Sequence, residues 1–311
     1  MAPQEISSTL GAEILRLWVA SSDFSGELTI SSEILKRVVE SYRRVRNTLR
    51  FLLANTSDFD AARHAVPLER LVEVDRYALA MTAAMQDQVS ADYERYQFHL
   101  VAQKLLAFCS EDLGAFYLDV LKDRLYTCGA DSEARRSAQT ALWHITHSLV
   151  RLMAPILSFT AEELWKTFTK AENATESVFF TTWHELPRPP QAAELIARWS
   201  RLRELRDPVR KQIEVLRADG KVGSSLQAEV DFQAEGSDHD LLASLGDELK
   251  FLLLTSAARV HQSSEPQVKV KASEYSKCER CWHYRPDVSD GGLCGRCETN
   301  LRGAGEKRLH V

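Results

Sequence analysis

Four cysteines near the end of the chain are the residues whose type and spacing most directly suggest chemistry. They stand as Cys278-Glu279-Arg280-Cys281 and Cys294-Gly295-Arg296-Cys297, two C-x2-C pairs separated by twelve residues. Each pair suits a tight knuckle that aims both thiolates at one point, and four thiolates complete a closed tetrahedral site with Zn–S near ~2.3 Å. One Zn2+ is the expected ion. It is structural, because four protein ligands leave no position open for substrate. The spacer is slightly shorter than the usual window for this pattern. Two disulfides or four free thiols are the competing arrangements, and an intracellular chain disfavours the disulfides. His283 lies beside the cluster, but four cysteines leave it no vacancy. Cys109 and Cys128 stand in helical, apolar surroundings and read as packing residues.

A second constellation is electrostatic. Over residues 31–55, apolar side chains recur at Ile34, Val38, Tyr42, Val45, Leu49 and Leu52, the period of an amphipathic helix. Ser31 is its N-cap, and Glu33 suits the positive end of the helix dipole. Lys36, Arg43, Asn47 and Arg50 fall on the face opposite the apolar seam, with Arg46 at its edge. The stretch holds six basic and two acidic residues, +4 in a chain whose net charge is −5. A basic helix on an acidic protein suggests a local site for a polyanion; the plainer reading is a solvated helix face.

Catalytic constellations are missing from these residues. Gly220 to Ser224 lacks the spacing of a phosphate-cradling loop, and neither G-x-S-x-G nor H-E-x-x-H occurs. His144 and His147 share a helix at i, i+3 without a matching carboxylate pattern, and packing is the commoner role for such a pair. No catalytic residue is assigned. With 311 residues, 44% of them hydrophobic, the chain has room for two or three domains. No apolar run reaches the length of a membrane span, and the N-terminus lacks a signal-peptide pattern, so a cytoplasmic protein is expected. Six cysteines, four of them in the last 34 residues, do not make a disulfide scaffold.

The elements that must position these groups follow from the pattern. Residues 1–9 read as irregular and 11–20 as a mostly buried helix. After the basic helix and a loop over 55–66, helices are expected over 68–88, 91–109, 113–126 and from about 131 to 153. Thr160-Ala161-Glu162-Glu163 reads as a capping box opening a short helix through Phe168. Residues 171–192, with Pro187, Pro189 and Pro190, read as a linker. A charged helix over 193–217, a strand over 226–232, a helical stretch over 241–254 and short strands at 259–261 and 267–270 make a small α/β unit. The expected fold class is mainly α: an antiparallel helical bundle, a small α/β junction unit and a C-terminal four-cysteine zinc knuckle.

Four stretches together resemble the C-terminal part of bacterial isoleucyl-tRNA synthetases, which are class I enzymes. They are the 11–55 segment, FYLDVLKDRLYT at 116–127, RRSAQTALWHITHSLVRLMAPILSFTAEELW at 135–165, and KCERCWHYRPDV with LCGRC at 277–297. The middle two resemble class I synthetases for branched aliphatic amino acids in general, and the knuckle is similar to that of the isoleucine enzymes. The resemblance implies that residues 1–25 follow a missing catalytic core and that 26–170 form the anticodon-binding bundle. Residues 193–272 become the junction domain and 273–311 the zinc tail. The family's ATP signatures and editing domain do not occur here, so the chain looks like a fragment. The parent reaction attaches isoleucine to its tRNA with ATP, which only the missing core would use. The implied partner is the tRNA for isoleucine, bound by a monomer. The alternatives are a standalone RNA-binding protein or a zinc-clipped protein-interaction scaffold. Under the resemblance, Lys36, Arg43, Arg46, Asn47 and Arg50 face tRNA. Trp282-His283-Tyr284-Arg285 offers flat partners and, with Arg280, a cationic rim for unpaired bases. A packing role for Trp282, anchoring the knuckle, is the competing reading.

Overall fold

A computed structural model of the chain describes residues 2–170, 176–288 and 292–311. The chain divides into two compact units that interleave in sequence. The first comprises Met1–Ala65, Ala78–Asp119 and Gln139–Arg188; the second comprises Val66–Tyr77, Val120–Ala138 and Pro189–Val311.

The first unit is helical. It opens with α1 (Pro3–Leu10), where an irregular stretch is expected from sequence. Pro3 presets the backbone of the first turn, the Glu5 carboxylate accepts the Ala2 N–H at 3.2 Å, and Ile6 is buried. Ile6 packs with Ile14 of α2 (Ala12–Ser21) and Leu35 of α3 (Ser32–Thr56), a long-range gain that eight polar-looking residues do not advertise. The Ser31 hydroxyl caps α3 by accepting the Ile34 N–H at 3.2 Å. Leu35, Val45, Leu49 and Leu52 are its buried apolar residues; Ile34, Val38 and Tyr42 are half-buried.

Beyond a one-turn helix α4 (Ala61–His64), helix α5 (Glu73–Glu94) runs past the expected break, which falls instead at Tyr96, in the left-handed region with φ 58°. Helix α6 (Phe98–Ala107) then continues without interruption through a π-helical stretch (Phe108–Tyr117) into α7 (Leu118–Thr127). A Cβ on Gly114 would lie 3.0 Å from the Cys109 carbonyl, so the wide turn closes against a residue with no side chain. That carbonyl accepts the Thr48 hydroxyl of α3 at 3.1 Å.

Helix α8 (Glu133–Met153) turns into α9 (Ser158–Thr169) at a corner held from α2. Arg16 donates to the carbonyls of Pro155 and Ile156 and to the Ser158 hydroxyl, at 2.8–2.9 Å, while Glu13 accepts the N–H groups of Phe159 and Thr160. The capping box expected at Thr160 is therefore not made. The helix starts two residues earlier, its free N–H groups go to Glu13, the Thr160 hydroxyl meets Tyr42, and Glu162 accepts from Ser177 and Val178.

The second unit carries α10 (Ala192–Ala218) and a three-stranded sheet of β1 (Ala228–Ala234), β2 (Ala257–Gln262) and β3 (Gln267–Ala272) in the order β2-β1-β3. β1 pairs parallel with β2 and antiparallel with β3, so that Val230 faces Ala258 and Val270 across the ladder. The helical stretch expected over 241–254 is broken into α11 (Gly236–Ala243) and α12 (Leu249–Leu253), between which Gly246 takes φ 51°. A two-stranded ribbon, β4 (Ser276–Lys277) with β5 (Tyr284–Arg285), frames the first cysteine pair, and the second pair opens α13 (Gly295–Arg302), with Cys294 at its N-cap and Cys297 in its first turn. No helix among the described residues is long and apolar enough to cross a membrane.

Candidate metal centre and nucleic-acid interface

All four knuckle cysteines are buried and free, and their Sγ atoms lie within 4.8 Å of one another. Cys278 and Cys297 are 3.7 Å apart at sulfur, as are Cys281 and Cys294. A disulfide requires about 2.05 Å. Four sulfurs at ~2.3 Å from a tetrahedral centre are about 3.8 Å from each other, so the donor set fits a tetrahedral ion. Among the described residues no other group of three His, Cys, Asp or Glu side chains converges in this way.

Local backbone geometry builds the first knuckle. The Cys278 N–H donates to the His283 carbonyl at 2.9 Å and the Trp282 N–H to the Cys278 carbonyl at 3.0 Å, which places Trp282 in the left-handed region with φ 63°. The Glu279 N–H donates to the Gly292 carbonyl at 2.8 Å. Gly292 takes φ 74°, in the left-handed region that favours glycine.

The cluster is tied to α7 by a charged network that sequence reading missed. Arg296, between the last two cysteines, donates to Asp123 at 2.7 Å and to Glu306 at 3.1 Å; Arg308 donates to Asp123 at 2.6 Å. Burial pushes the Asp123 carboxyl up, but the Arg296 and Arg308 guanidiniums overcome it and hold the group at about 2. Arg308 and Arg296 also cover the ring of Phe251, at 3.3 and 4.9 Å from its centroid. His283 is buried against Phe251, with Nδ1 3.2 Å from the Cys281 carbonyl, and burial lowers its pKa to about 4. Its position by sequence next to a cysteine thus reflects packing.

The residues expected to form a cationic, aromatic rim divide. Arg280 donates to the carbonyl of Thr127, the last residue of α7, at 2.5 Å, and so ties the knuckle down. Arg285 is half-buried and paired with Asp287 at 2.8 Å, which raises its pKa. Trp282 is 59% exposed, with Lys277 Nζ 5.4 Å from its ring centroid. Most of its surface thus faces solvent.

On α3, Lys36, Arg43, Arg46, Asn47 and Arg50 are all exposed. Arg43 pairs with Glu40 of its own helix at 2.9 Å, and Arg46 approaches Glu163 at 3.8 Å and the Tyr42 hydroxyl at 3.4 Å. Lys36, Asn47 and Arg50 have no side-chain partner among the described residues. His144 and His147 belong to an aromatic cluster with Trp143, Trp165 and His184; His144 Nδ1 meets His184 Nε2 at 2.9 Å. Burial lowers all three imidazoles, to about 4, about 3 and about 4, so they are neutral packing groups at pH 7.

Comparison with known proteins adds to this geometry. Residues 75–232 match the family described as the anticodon-binding domain of tRNA ligase. The chain is 58% identical over 322 aligned residues to an isoleucine–tRNA ligase of Bordetella parapertussis, covering 100% of this chain and 34% of that protein. It is 59% identical over 316 residues to the isoleucine–tRNA ligase of a Janthinobacterium species, covering 99% of this chain and 33% of that one. The chain thus spans about a third of the length of the curated relatives it matches. A solved leucyl-tRNA synthetase of Agrobacterium radiobacter K84, in a ternary complex with tRNA and LeuAMS, shares a TM-score of 0.44 at 17% identity, over 63% of this chain and 21% of that one. A likeness that slight carries no weight.

Proposed function

This chain belongs to the family of anticodon-binding domains of tRNA ligases, and we propose on that premise that it binds the anticodon arm of the tRNA for isoleucine as part of an isoleucine–tRNA ligase. The observation that carries the reading is the identity of nearly three residues in five along the whole chain to ligases of that name. In this role the four thiolates of Cys278, Cys281, Cys294 and Cys297 hold one structural Zn2+, whose coordination closes the knuckle on itself. The protein acts as a monomer in the cytoplasm. The test is binding to a panel of tRNA transcripts at several salt concentrations. Preference for the isoleucine tRNA supports the reading, and equal affinity for unrelated RNAs overturns it.

In such a ligase the chemistry is expected elsewhere, because the sequence carries no phosphate-cradling loop and no G-x-S-x-G or H-E-x-x-H motif. The purified 311 residues are expected to support no isoleucine-dependent pyrophosphate exchange, and measurable exchange contradicts this.

The contact residues follow from exposure and charge. Lys36, Arg43, Arg46 and Arg50 supply phosphate contacts along α3, and Asn47 between them is placed for a base edge or sugar. Replacing Arg43 and Arg50 together with Gln is expected to weaken binding evenly across tRNA sequences. It should also flatten the plot of log affinity against log salt by about one unit per lost contact. Retention of both affinity and slope makes the stripe a solvated face.

At the knuckle, Trp282 serves as a stacking platform, and the guanidiniums of Arg285 and Arg280, engaged by Asp287 and the Thr127 carbonyl, border it as a cationic rim. Because its ring is 59% exposed, Trp282→Ala should leave melting temperature and metal content unchanged. Loss of one stacked base costs about 1–3 kcal/mol of tRNA affinity. Unchanged affinity in this variant and in Arg285→Ala removes the stretch from the interface.

A further inference from the structure

The second unit contains a cavity of about 510 Å3 that shares only Arg285 with the contacts proposed above. Lys250, Arg285, Arg296 and Arg308 line it. Of the acids in its lining, Glu306 and Glu248 are committed, and Asp247 stands nearby without an ion-pair contact to Lys250. Glu306 accepts from Arg296 at 3.1 Å, from Arg308 at 3.2 Å and from Asn300 at 3.1 Å. Glu248 accepts the backbone N–H groups of Leu309, His310 and Val311 at 2.8–2.9 Å. Asp287 takes both nitrogens of the Arg285 fork.

Lys250 is the exception. It is half-buried on α12, its Nζ lies 5.2 Å from the Phe251 ring centroid, and no carboxylate of the described residues lies within ion-pair distance of it. Burial lowers its pKa, Asp247 opposes that from beyond ion-pair reach, and the charges of Arg285, Arg296 and Arg308 lower it further. Burial is the main cost to this ammonium, and the basic side chains of the lining (Lys250, Arg285, Arg296, Lys307 and Arg308) outnumber its acids (Asp247, Glu248 and Glu306). An anion that enters the cavity supplies the ammonium with a direct partner, and it does so where water screens poorly.

We propose that this cavity seats a backbone phosphate of the bound RNA, with the Lys250 ammonium as its direct partner. The inference rests on the RNA-binding reading above and adds to it a contact remote in sequence from both the α3 stripe and Trp282. A phosphodiester fits because it carries one full negative charge at any physiological pH and presents two oxygens to a cluster of N–H donors. A free phosphate anion shares this chemistry.

The test is Lys250→Gln, with Lys250→Arg as the charge-conserving control. Since burial disfavours the ammonium, Lys250→Gln should keep or raise the melting temperature; a fall marks the lysine as structural and overturns the proposal. In tRNA binding across a salt series, Lys250→Gln should flatten the slope by about 0.7–0.9, the value of one phosphate contact, and Lys250→Arg should restore it. An unchanged slope and affinity overturn the proposal. Titration with inorganic diphosphate in the absence of RNA separates the two anion sources. A variant that loses diphosphate binding but keeps its tRNA slope assigns the cavity to free phosphate anions and overturns the RNA seat. If the wild-type protein binds no tRNA, the functional reading itself fails and the RNA seat fails with it. The diphosphate titration then decides separately whether the cavity is an anion site at all.

Discussion

Removing the metal should unfold the knuckle while leaving most of the helical circular dichroism in place. The knuckle has a small core: the four cysteines with Val288 and Leu293 packed against them. A cluster of that size cannot offset the chain entropy of its loops, whereas structural zinc in small units contributes on the order of 10 kcal/mol to folding at pH 7. Fresh reduced protein should contain about one zinc per chain on a four-thiolate site. Cys294→Ser should lose that zinc and become protease-sensitive near Lys277 and Arg280. Because Arg280 holds the Thr127 carbonyl and Arg296 holds Asp123, the C-terminal end of α7 should loosen with it. Elemental analysis that finds no metal in freshly purified reduced protein rejects the site.

The second large effect is expected at a buried ion pair. Arg124 and Asp75 are both fully buried in the second unit, and the guanidinium holds the carboxylate through two bonds of 2.6 and 2.9 Å. Arg124 also donates to the Ala134 carbonyl, and Asp75 accepts from Ser137, which in turn accepts the Val72 N–H. The pair thus joins Val66–Tyr77 to Val120–Ala138 within that unit. Arg124→Met leaves a carboxylate buried without its counter-charge, a change that costs about 3–5 kcal/mol. Denaturant unfolding should show the midpoint fall accordingly. The double variant Asp75→Leu with Arg124→Met should recover part of the loss, since an apolar pair removes the uncompensated charge. A single variant as stable as the parent would show that the pair contributes nothing.

Much of the candidate site is legible in one dimension because its parts are local. The spacing of two C-x2-C pairs determines that each pair can turn through a single knuckle, and the structure brings the four sulfurs together. The Ser31 cap and the helical period of α3 depend on bonds and burial repeated every three or four residues. The exposed basic face of α3 is the complement of that same period. The π-helical continuation through Gly114 escapes such reading, because i, i+5 turns leave no periodic signature over ten residues.

What sequence alone determined, then, is the four-cysteine set of the candidate metal centre, the amphipathic basic helix and the family of the chain, each set by residues close together or by a pattern carried along the whole length. The tertiary structure decided which charges are free to act. Arg280 and Arg285 look as available in sequence as Lys36 and Arg50, yet one is tied to Thr127 and the other to Asp287. Trp282 admits a stacking or a packing role in sequence, and in the structure it is exposed. Arg308 finds Asp123 across 185 residues of sequence, and Lys250 finds no carboxylate within ion-pair distance among the described residues. The physical reason is that an ion pair depends on distance in space, falling away within a few ångströms where side chains are buried, whereas helical periods and knuckle spacings depend on distance along the chain.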